Sequence, residues 1–213
     1  MSDSTPKVAS ANRFTCRKCG GGFTVSAANL NKFPGWTPKM CMPCKGFKTG
    51  ASAREEDLTT EQVLAKYTGG PLTGVFTDGA AEPNPGPGGW GAVYVIDDKI
   101  ISERHGSEPH TTNNRMELVA LVEACKLVPP GVKTTIYSDS KLCVDTLNQW
   151  AHKWKLDGWK RGKNGEIKNV ELVQELHGIF QARLELKLEW IKAHAGNRWN
   201  EYADSLATKW RHS

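Results

Sequence analysis

The sequence contains no run of about 18 apolar residues, and this absence excludes a transmembrane helix of ordinary length. Its first residues, MSDSTPKVASANR, lack the apolar core of a secretory signal peptide. No segment repeats at a fixed period, so a repeat architecture is not expected. We therefore predict a cytoplasmic protein with neither a membrane anchor nor a cleaved leader.

What is present is a chain of 213 residues, which suffices for one ordinary domain and a small appendage. Hydrophobic residues make up 38% and charged residues 24%, a balance typical of globular proteins. The net charge of +5 is mild, but Lys and Arg concentrate in residues 152–168, HKWKLDGWKRGKNGEIK. Such a segment is either a solvated face or a contact surface for a polyanion, of which nucleic acid is the commonest.

Four of the six cysteines form two CxxC pairs. Cys16 and Cys19 are separated by 21 residues from Cys41 and Cys44. Two such pairs offer four thiolates to one tetrahedral Zn²⁺ with no open position, so the spacing predicts a structural metal. A segment this short buries little core, and the metal would supply its folding free energy. The other two cysteines are predicted to be buried free thiols, because cytosolic proteins rarely hold disulfides.

Composition divides the chain into four segments. Residues 1–12 are polar and are expected to form a disordered tail, and residues 13–48 hold the cysteine module. Residues 49–70 are expected to form a linker, and residues 71–213 the main domain. The boundary near residue 70 follows from the GGP sequence there, which interrupts regular structure.

The expected linker contains one short helical pattern, LTTEQVLAKY. Thr59 is predicted to cap this helix, with Gln62 three residues later in the arrangement of a capping box. The helix is predicted to end before the GGP sequence.

In the main domain, strand and helix patterns follow in the order three strands, helix, strand, helices, strand, helix. Among the helices, one is predicted from Ser140 to about Trp150 and another from Val170 to Ala182. Three consecutive strands suggest an antiparallel meander, with a turn at Asp97 and Asp98. The later strands are reached through helices and must pair in parallel through crossovers. The prediction is an α/β fold with a mixed five-stranded sheet and helices on both faces.

Four acidic residues of this domain occupy four short motifs. They are Asp78 in VFTDGAAEPNPGPGGWGA, Glu117 in TTNNRMEL, Asp139 in IYSDSK and Asp204 in WIKAHAGNRWNEYADSLA. Taken singly, each acid has an ordinary structural explanation as a turn residue, a helix cap or an exposed helical residue. Taken together, they lie at positions that a mixed sheet brings to one edge.

Clustered carboxylates repel one another unless cations lie between them. Carboxylate oxygens suit Mg²⁺ or Mn²⁺. Two such ions about 4 Å apart activate a water molecule and stabilise the leaving oxygen of a phosphodiester. The spacing of the four acids by itself therefore predicts a site for divalent metal ions, and the use of such ions in phosphodiester cleavage is implied by the resemblance described next.

The four motifs, in this order and context, resemble those of type 1 ribonuclease H, and the resemblance covers residues 72–211. It implies the ribonuclease H fold and a metal-dependent endoribonuclease that cuts the RNA strand of RNA–DNA hybrids. We also predict a monomer. Cleavage by this family leaves 5′-phosphate and 3′-hydroxyl ends. His194, in AHAG, matches the family's flexible-loop histidine, which assists proton transfer or product release. A loop histidine without a role is the alternative.

Further positions match the residues with which this family touches its substrate. Asn84, Asn113 and Asn114 match contacts near the minor groove of the hybrid, where 2′-hydroxyls are displayed. Helix capping is the structural alternative for the last two, and both roles are compatible. Thr112 and Asn169 match positions that grip a DNA phosphate.

The segment QWAHKWKLDGWKRGKNGEIKNV resembles the family's basic protrusion, or handle. Its tryptophans are interleaved with Lys and Arg, so aromatic faces can meet sugars or bases while the cations meet phosphates. Some of these tryptophans are expected to pack the handle, and Trp154 is expected to face the DNA strand. Lys141 departs from bacterial relatives, which often have Gln there, and it predicts altered affinity rather than lost activity.

The cysteine module resembles a small bacterial zinc-ribbon family with the pattern CxxCGxxF…PxxCxxC. Many type 1 ribonucleases H with an N-terminal extension carry a hybrid-binding module, and this analogy favours nucleic-acid binding. Several lysines of the module are compatible with phosphate contact: Lys18, Lys32, Lys39, Lys45 and Lys48. Binding of a protein, or stabilisation of the chain alone, are alternatives that the sequence leaves open.

Two other function classes fit parts of the sequence. A module that binds hybrids without cutting them would not need all four acids. An interaction protein with a vestigial second domain would carry damaged motifs. All four motifs are intact, and this favours the enzyme.

Overall fold

The structure is a computed structural model that describes residues 12–32, 35–41, 44, 58–162 and 165–212. The contacts divide the chain into two compact units, Met1–Glu56 and Asp57–Ser213. The predicted tail lies outside the described residues except for its last position, and so does the first part of the predicted linker. No helix within the described ranges is long and apolar enough to cross a membrane.

The first unit is built on a short β-hairpin. Its strands, β1 (Arg13–Thr15) and β2 (Gly22–Thr24), are antiparallel, and a short helix, α1 (Ala27–Asn31), follows them. Phe14 and Phe23 are paired across the hairpin with their ring centroids 5.9 Å apart. The first CxxC pair lies in the turn between the two strands, so the hairpin fixes the backbone on either side of these thiols.

The second unit is built on a five-stranded sheet. Its strands are β3 (Gly74–Ala81), β4 (Gly86–Ile96), β5 (Lys99–Thr111), β6 (Thr134–Ser138) and β7 (Leu186–Trp190). In space they lie in the order β5-β4-β3-β6-β7. The first three form the predicted antiparallel meander, whereas β6 pairs with β3, and β7 with β6, in parallel. The predicted mixed five-stranded sheet is confirmed.

Helices cover both faces of this sheet. They are α2 (Thr60–Lys66), α3 (Asn113–Leu127), α4 (Lys141–Asp145), α5 (Ala151–Leu156), α6 (Val170–Ala182) and α7 (Arg198–Ala207). A π-helical turn, Thr146–Trp150, joins α4 to α5, and a 3₁₀ turn, Lys209–His212, follows α7.

The alternation of side chains along the strands separates two apolar clusters. On one face, Val75 and Ile136 pack with buried residues of α3 and α6. On the other face, Phe76 and Val93 pack with buried residues of α2 and α7. The sheet is therefore enclosed between two helical layers, as the sequence predicts.

The hairpin between β4 and β5 turns at Asp97 and Asp98. Both residues have positive φ angles, 49° and 63°, which Asp adopts more readily than most side chains. Two consecutive residues of this kind match the right-handed twist of the flanking strands. The predicted turn is confirmed.

The segment that we predict to be a linker belongs to the second unit from Asp57 onward. Its helix, α2, starts at the predicted capping box, in which Thr59 and Gln62 each accept a hydrogen bond from the other's backbone N–H. Val63 is only 1% exposed and packs in the α7 cluster. The compact unit therefore extends to the N-terminal side of the boundary predicted near residue 70, and the buried contact of Val63 belongs to this extension.

Two glycines allow α3 and α7 to lie very close to the sheet. A Cβ atom on Gly79 of β3 would lie 2.2 Å from the backbone nitrogen of Glu117 in α3. A Cβ atom on Gly91 of β4 would lie 2.6 Å from the carbonyl oxygen of Ala203 in α7. Larger residues would push both helices outward, so these glycines set the depth at which the helices carry their acidic residues.

The two cysteines outside the module lie in the core of the second unit. Cys125 and Cys143 are 2% and 1% exposed, and both are free. Burial raises the pKa of each thiol to about 12. The predicted pair of buried free thiols is confirmed.

Candidate active site and cysteine centre

The four acidic residues come from four different elements. Asp78 lies in β3, Glu117 in the second turn of α3, Asp139 directly after β6, and Asp204 in α7. Because β3 and β6 are adjacent parallel strands, their register puts Asp78 beside Asp139 where β6 ends. The helices then bring the other two acids to this end from above and below the sheet.

Three of these carboxylates converge. One oxygen from each of Asp78, Glu117 and Asp139 lies within 4.8 Å of the other two. Asp78 and Glu117 are 8% and 9% exposed, so most of this charge lies under the protein surface. Asp204 lies near enough for its negative charge to act on the Asp78 carboxylate and raise the pKa of Asp78.

Burial and mutual repulsion oppose ionisation of the cluster. Burial, followed by the charges of the other three acids, raises the pKa of Asp78 well above its ordinary value. Burial also raises the pKa of Glu117, with the charge of Asp139 as the second cause, and burial raises the pKa of Asp139 itself. Carboxyl pKa values that are raised by burial and by neighbouring charges are typical of functional sites.

The donor set fits a hard divalent cation. Oε2 of Glu117 is buried and has no hydrogen-bond partner among the residues that the structure describes. A cation would coordinate this oxygen and neutralise the repulsion among the carboxylates. An all-oxygen set suits Mg²⁺ or Mn²⁺.

Asn200 is a neighbour of the cluster that the sequence analysis missed. It is 2% exposed, and its Nδ2 donates a hydrogen bond to Oδ2 of Asp139 at 3.2 Å. Its Oδ1 is buried and lacks a partner within the described ranges. Asn200 stands four residues before Asp204, so helical spacing on one face of α7 was the signal that could have identified it.

His194 lies on the loop between β7 and α7 at the open edge of the site. Its φ is 47° and its side chain is 64% exposed. Its Nδ1 lies 3.7 Å from Oε2 of Glu201, whose other oxygen accepts the backbone N–H of Gly196 at 3.3 Å. Ligand atoms of His194, Glu201 and Asp204 lie within 4.8 Å of one another. Glu201, which is 8% exposed, was also missed by the sequence analysis.

The capping explanations for two of the acids are not observed. Thr112 is the N-cap of α3 and accepts the backbone N–H of Arg115 at 3.3 Å, so Glu117 does not close a capping box. Ser140 occupies the N-cap position of α4, directly after Asp139. Both acids are therefore held by the fold without serving helix ends.

The protein-family model described as RNase H matches residues 72–211, a range that contains all four acids. The chain belongs to the RNase H family. This membership confirms the enzyme class, ribonuclease H, that the motifs predict. The match does not include the cysteine module or α2.

Curated relatives and a solved structure agree with this family. A ribonuclease H from Bradyrhizobium sp. (strain ORS 278) is 43% identical over 137 residues, which cover 64% of this chain and 88% of the relative. A ribonuclease H from Alcanivorax borkumensis is 43% identical over 135 residues, covering 63% and 88%. A crystal structure of "LC9-RNase H1, a type 1 RNase H with the type 2 active-site motif" superposes with a TM-score of 0.54 at 31% identity, covering 67% of this chain and 74% of that chain.

Two of the asparagines that we predict to contact substrate hold the loop after β3 in place. Oδ1 of Asn84 accepts the backbone N–H of Asn113 at 3.3 Å. Oδ1 of Asn113 in turn accepts the backbone N–H of Ala81 at 2.6 Å. Neither residue is the cap of α3, since that position belongs to Thr112.

The other asparagine, Asn114, joins α3 to the start of α6. Its Oδ1 accepts a hydrogen bond from Nδ2 of Asn169 at 2.9 Å, and its Nδ2 donates to Sγ of Cys143 at 3.5 Å. Asn169 has a positive φ of 53° and lies directly before α6. The structure therefore brings these two predicted contact residues together.

Trp154 lies in α5, within the segment that we predict to be a handle. Its ring centroid is 5.9 Å from that of Trp150, and one side of the ring packs against the α3 and α6 cluster. Together with Asn114 and Arg161 it lines a cavity of about 380 Å³. Contact of Trp154 with a DNA strand stays a prediction.

Lys141 begins α4 on the surface. Its Nζ pairs with Oδ2 of Asp145 at 3.0 Å, one helical turn away. Exposed pairs of this type contribute little to stability, so the ammonium group can exchange this partner for a phosphate at small cost. The altered substrate affinity expected from Lys141 stays a prediction.

The four cysteines of the first unit lie close together. One Sγ from each of Cys16, Cys19, Cys41 and Cys44 lies within 4.8 Å of the others, and the Cys19 and Cys41 sulfurs are 3.7 Å apart. Zn–S bonds of about 2.3 Å in a tetrahedron separate the sulfurs by about 3.8 Å. A disulfide would hold them at about 2.05 Å. The spacing therefore fits a metal centre rather than a disulfide.

The electrostatics of this centre favour at least one thiolate. A hydrogen bond from the Cys41 backbone is the main cause that lowers the pKa of Cys16 to about 6. Hydrogen bonds with the Cys41 and Cys19 thiols are the main causes that raise the pKa of Cys44 to about 12. Thiolates are the form that binds metal, so Cys16 is ready to ligate at neutral pH.

Proposed function

We propose that this protein is a metal-dependent endoribonuclease that hydrolyses the RNA strand of RNA–DNA hybrids and leaves 5′-phosphate and 3′-hydroxyl ends. The observation that carries the proposal is the convergence of Asp78, Glu117 and Asp139 within an RNase H fold. With Asp204, they would hold two Mg²⁺ or Mn²⁺ ions. Such ions, when bound, supply an activated water and stabilise the leaving oxygen of the phosphodiester.

The side chains around the carboxylates have separate tasks in this proposal. Asn200 fixes the rotamer of Asp139 through its hydrogen bond, so that this acid keeps one orientation. His194, at the exposed edge of the site, moves a proton or assists the departure of product. Its exposure supports this role, because the ring can reach solvent.

Substrate recognition is assigned to the surface around the start of α3. Asn84, Asn113 and Asn114 would meet the minor groove of the hybrid, where 2′-hydroxyls distinguish RNA from DNA. Thr112 and Asn169 would hold a DNA phosphate, and Trp154 would lie along the DNA strand. The hydrogen bond between Asn114 and Asn169 supports a shared surface for these contacts.

We also propose that the first unit is a zinc ribbon that adds affinity for nucleic acid. Residues 4–54 contain nine Lys or Arg residues and no Asp or Glu. A Zn²⁺ ion with four thiolate ligands forms a complex with a net negative charge. The segment stays positive when this charge is included, because its basic residues outnumber the negative charges of the complex. A positive segment attracts phosphates without reading sequence. Cytoplasmic location and a monomeric state remain predictions.

One labelled RNA strand tests the enzymatic proposal. The strand is annealed to DNA, annealed to RNA or left single, and each form is incubated with the protein in Mg²⁺ or in EDTA. We expect cleavage of the hybrid alone, and only with metal. Tight binding of the hybrid without cleavage under any divalent metal would overturn the proposal and favour a binding module.

A further inference from the structure

Residues 58–70 lie before the region that matches the RNase H family, yet they pack on it. Val63, the buried residue of α2, is in one cluster with Trp199 and Tyr202 of α7. Leu58, Leu64 and Tyr67 pack against the same cluster. The segment is thus anchored to the helix that carries Asp204.

Arg198, at the start of α7, holds this segment through hydrogen bonds from its guanidinium group to backbone carbonyls. Its Nε donates to the carbonyl oxygen of Tyr67 at 2.5 Å, and its Nη2 donates to that of Leu64 at 3.5 Å. Its Nη1 pairs with Oδ2 of Asp98 at 2.6 Å, which fixes the guanidinium plane. A planar fork with several donors is suited to hold two carbonyls and a carboxylate at once.

The end of the segment lies directly on the loop that carries His194. Gly69 forms a parallel β-bridge with Asn197, and its carbonyl oxygen accepts the backbone N–H of Arg198 at 2.8 Å. A Cβ atom on Gly69 would lie 3.3 Å from the carbonyl oxygen of Gly196. The backbone at the end of the loop that carries His194 is therefore hydrogen-bonded to Gly69, a residue outside the family match.

Glu201 of α7 also holds this loop: one carboxylate oxygen accepts the backbone N–H of Gly196, and the other lies near Nδ1 of His194. The loop therefore contacts both Glu201 and residues 58–70. We infer that residues 58–70, here called the brace, position His194 beside the carboxylates by restraining this loop. The inference rests on the proposed function, in which His194 takes part in hydrolysis.

The brace is a positioning element and does not touch the reacting atoms. His194 has a positive φ and an exposed side chain, so little within its own loop restricts it. Without the brace, the loop would sample more conformations, and fewer of them would direct the imidazole toward the site. Hydrolysis would slow while substrate binding, which uses other surfaces, would persist.

Gly70→Ala in the full chain tests this inference. At Gly70 φ is +97°, and a Cβ atom would lie 2.8 Å from Oδ1 and 3.2 Å from Cα of Asn197, so the substitution separates brace and loop. Gly131→Ala is the matched control, because Gly131 also has a positive φ, +80°, and nothing within 4 Å. Steady-state hydrolysis of a hybrid and hydrogen exchange of the loop amides are measured for both.

We expect Gly70→Ala to lower kcat about tenfold with little change in KM, which is within the cost of a misplacement of roughly 1 Å. The amides of residues 193–197 should exchange faster, and Gly131→Ala should change neither quantity. In a His194→Ala background, Gly70→Ala should cause no further loss. An equal loss with and without His194, or unchanged exchange of the loop, would overturn the inference.

Arg198→Lys is the second variant, for use if Gly70→Ala does not fold. It keeps a positive charge for Asp98 but loses the fork that holds the carbonyls of Leu64 and Tyr67. The same dependence on His194 is expected. A wild-type chain that does not cleave hybrids would refute the proposed function, and the exchange measurement would still decide whether the brace restrains the loop.

Discussion

Asp78 lies where the charges of the site converge, and its carboxylate serves function at the expense of stability. It is buried, and three other acids surround it. Without a metal ion, each additional negative charge in this position is unfavourable. Removing the charge should therefore have opposite effects on activity and on stability.

Asp78→Asn is predicted to lower hybrid cleavage at least about a hundredfold, because a lost metal ligand removes several kcal/mol of transition-state stabilisation. In EDTA the same variant should melt at a higher temperature than the wild type, with about 2–4 °C for each kcal/mol of repulsion relieved. Glu175→Gln, which removes an exposed charge from α6, is the control and should change neither. Full activity in Asp78→Asn would refute the ligand assignment.

The raised pKa values of Asp78, Glu117 and Asp139 predict how the metal-free protein responds to pH. Because these pKa values are higher in the folded state, the folded state binds more protons than the unfolded state above about pH 4. The contribution of these three groups to the free energy of unfolding in EDTA should therefore be greatest near or below pH 4. It should fall as the pH rises.

Thermal unfolding of the wild type and of an Asp78→Asn/Glu117→Gln variant, both in EDTA across a pH series, measures this effect. The difference in Tm should widen with pH and should shrink when Mg²⁺ is added to the wild type. A difference that does not depend on pH would show that repulsion in the cluster is not its cause.

At the residue scale, the sequence predicts the four acids but not the neighbouring residues that orient the side chains of the site. Each acid stands in a short motif that can be read without the fold. Asn200 and Glu201 look like ordinary polar residues of an amphipathic helix. Only the depth at which α7 lies on the sheet buries them and aims them at Asp139 and His194, and that depth is a tertiary property.

Among the elements, α3 depends most on a close approach to the sheet. Gly79→Ala would put a Cβ atom within 2.3 Å of backbone atoms of Met116 and Glu117. The substitution should cost about 1–3 kcal/mol of stability, as overpacking does, and should reduce cleavage by displacing Glu117. Denaturant unfolding and hybrid cleavage provide the two measurements.

Gly178→Ala in α6 is the matched control, since a Cβ atom there meets nothing within 4 Å. It should stabilise the helix by up to about 1 kcal/mol, because Ala is the better helix former. Loss of stability in both variants would show that the cost does not come from contact with α3.

Element boundaries were predictable where local residue types decide them. The helix over Val170–Ala182 and the turn at Asp97 and Asp98 agree with the structure. The helix predicted from Ser140 to Trp150 is instead α4 followed by a π-helical turn, Thr146–Trp150. No local pattern encodes that extra residue per turn, and none shows that α2 packs on α7.

For the whole molecule, the distribution of charge predicts how affinity depends on salt. Deletion of residues 1–57 removes the basic first unit and spares the brace. Hybrid affinity should fall, and the slope of log affinity against log salt concentration should decrease by about 0.9 for each lost phosphate contact, if the hybrid behaves as duplex DNA does. Fluorescence anisotropy at several salt concentrations measures both.

A full-length variant with Cys16→Ser and Cys19→Ser is the companion to this deletion. It keeps every basic residue but loses two zinc ligands, so it separates the effect of charge from that of a folded ribbon. Affinity and slope that are unchanged by the deletion would contradict a nucleic-acid role for the first unit.

The burial of Cys125 and Cys143 has a practical consequence. With pKa values near 12, these thiols do not react with a chromogenic disulfide reagent at neutral pH while the second unit stays folded. Colour released by such a reagent would come from the four cysteines of the first unit alone. If the first unit holds its proposed ion, loss of that ion would free those four thiols, and the released colour would measure metal occupancy without any label on the chain.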